Sequence, residues 1–207
     1  QMALRSQMNP HFIFNSLNSI QQFVIDKDIA GANKYISGFS RLIRQTLDNS
    51  SKEHISLAEE ISYLSNYLQL EKTRTEDAFE YFFTIDDSVA TDEISIPPML
   101  LQPYIENAIR HGIRYREKEP GNVTICFEPA ENGLRCRVID NGVGRKKAME
   151  LKSKQHIEYQ SRGMQLTGKR IELLNKINDS HITVLIKDLT NPDGTAAGTE
   201  VILNIPV

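Results

Sequence analysis

Ile13, Leu17, Ile20 and Val24 recur at the spacing of one apolar stripe on a helix of 3.6 residues per turn. His11, Asn15, Asn18 and Gln22 repeat at the same spacing on the opposite side, so His11 is expected to face solvent or a docking partner. Leu4 and Met8 lie on another side of the cylinder, and the stripe jumps near Pro10, where the missing backbone donor predicts a kink. A second stripe runs through Ile29, Ile36, Phe39, Ile43 and Thr46-Leu47. A third takes Leu57, Ile61, Leu64 and Leu68, with Ser56 as N-cap and Glu59 completing a capping box. Residues 1–78 therefore read as a helical domain. So few short helices cannot bury their stripes against one another, and docking on a second copy to form a bundle is expected.

From about residue 79 the period changes to two, with strands expected at 80–86, 122–128, 134–140, 182–187 and 200–205. Ala130-Glu131-Asn132-Gly133 reads as a hairpin turn, and Asn191-Pro192-Asp193-Gly194 as a turn before the last strand. Two or three helices separate these strands. Residues 79–207 thus read as an α+β sandwich, a largely antiparallel sheet covered by helices.

Composition narrows the class without choosing a function. The chain has 207 residues, 40% hydrophobic and 25% charged, as in an ordinary globular protein. A net charge of −3 gives no basic footprint, so no nucleic-acid partner is expected. No apolar run reaches membrane-spanning length. The chain starts inside a helical pattern without an initiator Met, so it is expected to be a piece whose N-terminal sensor or membrane part is missing. Cys126 and Cys136 fall on opposite faces of neighbouring strands, where no disulfide can form; free thiols suit the cytoplasm, and neither has zinc-ligand spacing.

Three segments carry candidate chemistry. Ile96-Pro97-Pro98 is expected to open a helix that Arg110-His111-Gly112 closes, with Leu101, Tyr104, Ile105, Ala108 and Ile109 as its apolar side. Glu106 with Arg110, and Asn107 with His111, then form i, i+4 pairs away from that side; a carboxylate and an amide oxygen are hard donors suited to magnesium or its waters. Asp140 ends a strand before Gly142 and Gly144, whose missing side chains let a backbone approach a ligand while the carboxylate accepts from an exocyclic amine. Arg145, Lys146, Lys147, Lys152, Lys154 and Arg162 make a basic, mobile stretch over which a polyphosphate could sit, with a solvated loop as the plain alternative. Gly198-Thr199 offers a tight turn and a hydroxyl near the sheet end.

Taken together, Gln7-Met8-Asn9-Pro10-His11-Phe12-Ile13-Phe14-Asn15, the run from Pro97 to Ala108, Asp140-Asn141-Gly142-Val143-Gly144 and Gly198-Thr199 resemble the LytS/YehU class of sensor histidine kinases in order and spacing over nearly the whole chain. The resemblance implies a helical dimerisation and phosphoacceptor domain joined to a GHKL (Bergerat-type) ATP-binding domain. It implies that His11 is the phosphorylated histidine, that Asn107 holds Mg2+, and that Asp140 reads the adenine amine. Gly142 and Gly144 would shape the ATP pocket, Thr199 would support its adenine end, and Arg110, His111 and Gly163 would border the nucleotide. Glu106 is the candidate base. The implied partners are a response regulator and a second copy joined through the N-terminal helices, in the cytoplasmic portion of an inner-membrane sensor. The chain departs from the class at Ser161-Arg162-Gly163-Met164-Gln165-Leu166, where Gly-x-Gly-Leu-x-Asn is usual. A nucleotide-binding scaffold with little kinase activity, or a GHKL ATPase, are the alternatives.

Overall fold

The computed structural model describes residues 10–76, 78–115, 120–153, 161–178 and 181–207, without the side chains of residues 10, 11, 151–153, 161–167, 177 and 178. The expected kink beside Leu4 and Met8, and Lys154 of the basic stretch, lie outside them. The chain divides into two compact units.

The first unit contains three helices, α1 (Pro10–Ile25), α2 (Ile29–Ser50) and α3 (Leu57–Arg74), and takes in Thr91–Met99. Asp28 caps α2 by accepting the Gly31 N–H at 2.9 Å. Ser56 caps α3 as the spacing predicts: its hydroxyl accepts the Glu59 N–H at 3.1 Å, and the Glu59 carboxylate accepts the Ser56 N–H at 3.0 Å. Leu57, Leu64 and Leu68 of the third stripe are fully buried, joined by Tyr63 and Tyr67.

The first two stripes turn out differently. α1 buries Phe12 and Ser16, with the Phe12 ring 6.0 Å from Phe39 and 5.4 Å from Tyr67, while Leu17 and Val24 are 50% and 64% exposed. α2 buries Ala32, Tyr35, Leu42, Thr46 and Asn49 and exposes Ile29, Ile36 and Leu47. Phe12 and Tyr35 are buried, each against a further ring, while Phe14 is 66% exposed, so the buried side of α1 and α2 is rotated from the expected stripes. Of the two expected stripes, Leu17, Val24, Ile29, Ile36 and Leu47 are left exposed, whereas Ile13, Ile20, Phe39 and Ile43 are half-buried and Thr46 is buried.

In the second unit, five strands form one sheet: β2 (Phe79–Ile85), β4 (Gly121–Ala130), β5 (Gly133–Asp140), β6 (Thr183–Thr190) and β7 (Ala196–Pro206), in the order β2-β4-β5-β7-β6. Every pairing is antiparallel except β2 with β4. The α+β, largely antiparallel architecture is therefore the one expected. Short strands β1 (Ile55–Ser56) and β3 (Ser95–Ile96) pair separately, within the first unit. The hairpin closes at Ala130 opposite Gly133, and Asn191 accepts the Gly194 N–H at 2.9 Å in the second turn.

One sheet face carries Val123, Ile125 and Phe127, Leu134, Cys136 and Val138, and Val201, Leu203 and Ile205, all buried. Cys136 lies opposite Phe127 on that face, and Cys126 opposite Arg137 on the other, so both thiols are free. Helix α4 (Gln102–Asn107) runs into a π-helical turn at Ala108–Gly112 and a 3-10 turn at Ile113–Tyr115. That π-helical turn packs on β4, β5 and β7. Two further helices, α5 (Gly144–Ser153) and α6 (Ser161–Asn178), bury Ala148 and Ile171.

Candidate functional site

The helix expected from Pro97 begins only at Gln102, with Pro103 in its first turn. The reason is local: Met99 sits at φ 54°, a left-handed conformation that ends any helix opened by Pro97-Pro98. Its expected apolar side holds, since Leu101, Tyr104, Ile105, Ala108 and Ile109 are all buried. Burial pushes the Tyr104 hydroxyl up to about 12, so it stays protonated. Glu106 and Arg110 form their expected ion pair at 2.8 Å, each side chain 14% exposed. Asn107 ends α4 half-buried, and His111 lies in the wider π-helical turn, whose spacing differs from the i, i+4 stacking expected for that pair.

The turn delivers Gly112 to the end of β5. A Cβ on Gly112 would stand 2.5 Å from Asp140 Oδ1, one on Gly142 would strike the Gly112 backbone, and one on Gly198 would strike the Asp140 carbonyl. Val143 N–H donates to the Gly112 carbonyl at 3.1 Å. Gly142 thus serves a close approach of backbone to backbone. Gly144, at φ 76°, and Gly198, at φ 123°, hold conformations that a side chain strains. Gly112 and Gly198 are legible in the sequence only as a helix end and a turn; two glycines just after one strand-end aspartate, Gly142 and Gly144, are the signal of a tight backbone cradle.

Asp140 sits at the centre of that cradle, 5% exposed. Desolvation pushes its carboxyl up to about 6, against the opposing pull of hydrogen bonds from Gly142 N–H at 2.8 Å and from the Thr199 amide and hydroxyl. Thr199 is the register partner of Asp140 across β5 and β7, which places its hydroxyl where the carboxylate needs a donor. The structure thus gathers Asp140, Gly142, Gly144 and Thr199 with the turn that follows Glu106 and Asn107 and carries Arg110. His11 is the second residue of α1, in the first unit; its side chain, and the surroundings of Gly163 in α6, lie outside the description.

The basic stretch is a correction. Arg145, Lys146, Lys147 and Lys152 belong to helix α5 and Arg162 to helix α6, where a mobile stretch or a solvated loop is expected from the sequence. Arg145 is committed to Asp188 through two hydrogen bonds of 2.7 Å, which hold the guanidinium above and the carboxyl below their ordinary values. Lys146 and Lys147 remain exposed on the same helix. Among the described residues, no helix is long and apolar enough to cross a membrane.

A buried strand-end carboxylate cradled by glycines, beside a helix ending in Glu106-Asn107, is joined here to an N-terminal helical unit carrying Pro10-His11. The histidine kinase family matches residues 1–79. The chain belongs to the LytS-type sensor histidine kinases. Sensor histidine kinase YpdA of Escherichia coli (strain K12) is 33% identical over 174 residues, 84% of this chain and 28% of that protein. Sensor protein LytS of Streptococcus mutans serotype c is 32% identical over 206 residues, 99% of this chain and 33% of that one. The chain therefore spans about a third or less of either relative's length. Among solved structures, the catalytic domain of histidine kinase ThkA aligns with 74% of this chain and 94% of its own at 19% identity, with a TM-score of 0.48.

Proposed function

We propose that this chain is the kinase portion of a two-component sensor, which binds ATP in its second unit, phosphorylates His11 and passes the phosphoryl group to an aspartate of a response regulator. The observation that carries the reading is Asp140: a carboxylate buried at a sheet end, ionised at neutral pH although desolvated, held by Gly142 and Thr199. Such a group is costly to keep unless it serves a ligand that donates to it, and the exocyclic amine of adenine is a donor of that kind.

The chemistry is displacement at phosphorus. A neutral imidazole nitrogen of His11 forms the P–N bond as the bond from the γ-phosphorus to its bridging oxygen breaks, ADP leaves, and the imidazole proton is lost. Glu106 is the candidate to accept that proton, with Arg110 holding its carboxylate in place. Asn107 would hold Mg2+, which when bound offsets the charge of the phosphates. Arg110 and His111 would border the phosphates, and Lys146 and Lys147 on α5 take the role first given to the whole basic stretch. The two alternatives keep the nucleotide and drop the histidine chemistry. The altered Ser161–Leu166 segment favours the scaffold reading, which predicts ATP binding without label on His11.

Replacing Asp140 by Ala tests the nucleotide site. A lost charge-assisted bond is worth about 1.5–3 kcal/mol, so the ATP dissociation constant should rise roughly 10- to 150-fold by calorimetry. An unchanged constant removes Asp140 from the pocket.

A further inference from the structure

Asp188, Thr199 and Asp140 stand in one row across β6, β7 and β5, each the register partner of the next. Register partners share a sheet face, so Asp188 lies on the same side as the strand-end carboxylate. Arg145 reaches it from the second position of α5: Nε donates to Oδ1 and Nη2 to Oδ2, both at 2.7 Å. A fork of this kind fixes orientation as well as distance. One residue earlier is Gly144, where a Cβ would stand 3.0 Å from that of Ala196 on β7. One turn later Ala148 is buried, and α5 packs on β7, β6 and the π-helical turn.

The glycine turn Asn141–Gly144 is thereby held at both ends. At its start, the Asn122 N–H donates to Asn141 Oδ1 at 2.7 Å and the Asn141 N–H to the Asn122 carbonyl at 3.3 Å. At its end stands the Arg145 fork. Between them the Gly142 N–H serves Asp140 and the Val143 N–H serves the Gly112 carbonyl. Gly142 and Gly144 have no side chains to pack, so the placement of the turn depends on what its neighbours grip.

We infer that Arg145 is a positioning residue rather than a phosphate ligand: its fork on Asp188 ties the start of α5 to β6 and keeps the Gly142–Gly144 turn set against Asp140 and Thr199 for the nucleotide. The inference rests on the nucleotide reading of that site, and it reverses the sequence expectation that Arg145 faces a polyphosphate.

Asp188→Asn separates the two roles by sign. It removes a negative charge and releases the guanidinium, so an Arg145 that served phosphates would bind ATP more tightly. The clasp predicts weaker binding. A half-exposed ion pair biases a two-state turn by no more than about fivefold, and apparent affinity falls with the fraction of molecules in the competent arrangement. The ATP dissociation constant by calorimetry should therefore rise about two- to fivefold in Asp188→Asn and in Arg145→Met. The double variant should be no weaker than the weaker single one, because both remove the same bond. Arg145→Lys, which keeps a charged donor on the carboxylate, should lose less than Arg145→Met. In the nucleotide-free chain, amide exchange at Gly142 and Val143 should quicken in both single variants, while β4 and β5 keep wild-type protection. Tighter or unchanged ATP binding in Asp188→Asn overturns the inference, as does unaltered exchange at Gly142 and Val143. Protection lost throughout the sheet overturns it too, by reducing the pair to general stability. Failure of the unsubstituted chain to bind ATP would sink the nucleotide reading instead, and the exchange measurement would still judge the clasp.

Discussion

Asp140 has a carboxyl raised from 3.8 to about 6 by burial, and this gives the nucleotide site a pH signature. Above that value the carboxylate can accept from an amine; below it the protonated form offers a donor to a donor. ATP affinity should therefore be flat above about pH 7 and fall up to ~tenfold per pH unit below about 6, while Asp140→Asn binds weakly at every pH. Isothermal titration between pH 5 and 8 reads this, and a pH-independent wild type contradicts it. The sign for stability is opposite to that of a paired carboxylate. The folded state binds more protons than the unfolded one between about pH 4 and 6, so this group's contribution improves as pH falls through that window. At neutral pH its ionisation costs about 3 kcal/mol, from about two units at ~1.4 kcal/mol each. Asp188, lowered by Arg145, works the other way, and its stabilisation is lost only at lower pH, as acidification passes from its unfolded value down through its depressed folded one. The sequence made Asp140 and Thr199 legible separately, as a strand-end acid and a hydroxyl near a turn. It could not show that they face each other, because register across β5 and β7 depends on chain partners nearly sixty residues apart.

At the scale of elements, local signals were read well and facing was not. The capping box at Ser56 and Glu59 is a short-range pattern, and it forms as spaced. Ser56→Ala should lower the stability of the helical unit by about 1 kcal/mol, seen as a shift in urea midpoint; an unchanged midpoint would mean that the cap adds nothing to the start of α3. Strand positions followed from period-two alternation, whereas the parallel pairing of β2 with β4 joins segments some forty residues apart, which alternation cannot encode. The start of α4 was misread because Pro97-Pro98 is a fair helix opening in isolation, and only the conformation of Met99 excludes it. The run of basic residues in α5 reads as a mobile stretch, yet buried Ala148 and the Arg145–Asp188 bonds give a helix there something to pack and hold.

At the scale of the whole molecule, the uncovered Leu17 and Val24 of α1 and Ile29, Ile36 and Leu47 of α2 form apolar surface that one copy leaves in water. A second copy packing on these helices is the occupant proposed, and it restores a role to the very stripe that the single chain does not bury. Sedimentation should show a dimer that Leu17→Glu with Val24→Glu converts to monomer, with nucleotide affinity retained; a monomeric wild type at tens of micromolar contradicts it. The uptake of phosphate is the most direct test of the central claim. Exposed to Mg-ATP labelled in the γ-phosphate, the chain should acquire label that acid removes and base does not, and His11→Ala should lose it while still binding nucleotide. Label persisting on the Ala variant, or stable to acid, would contradict the account.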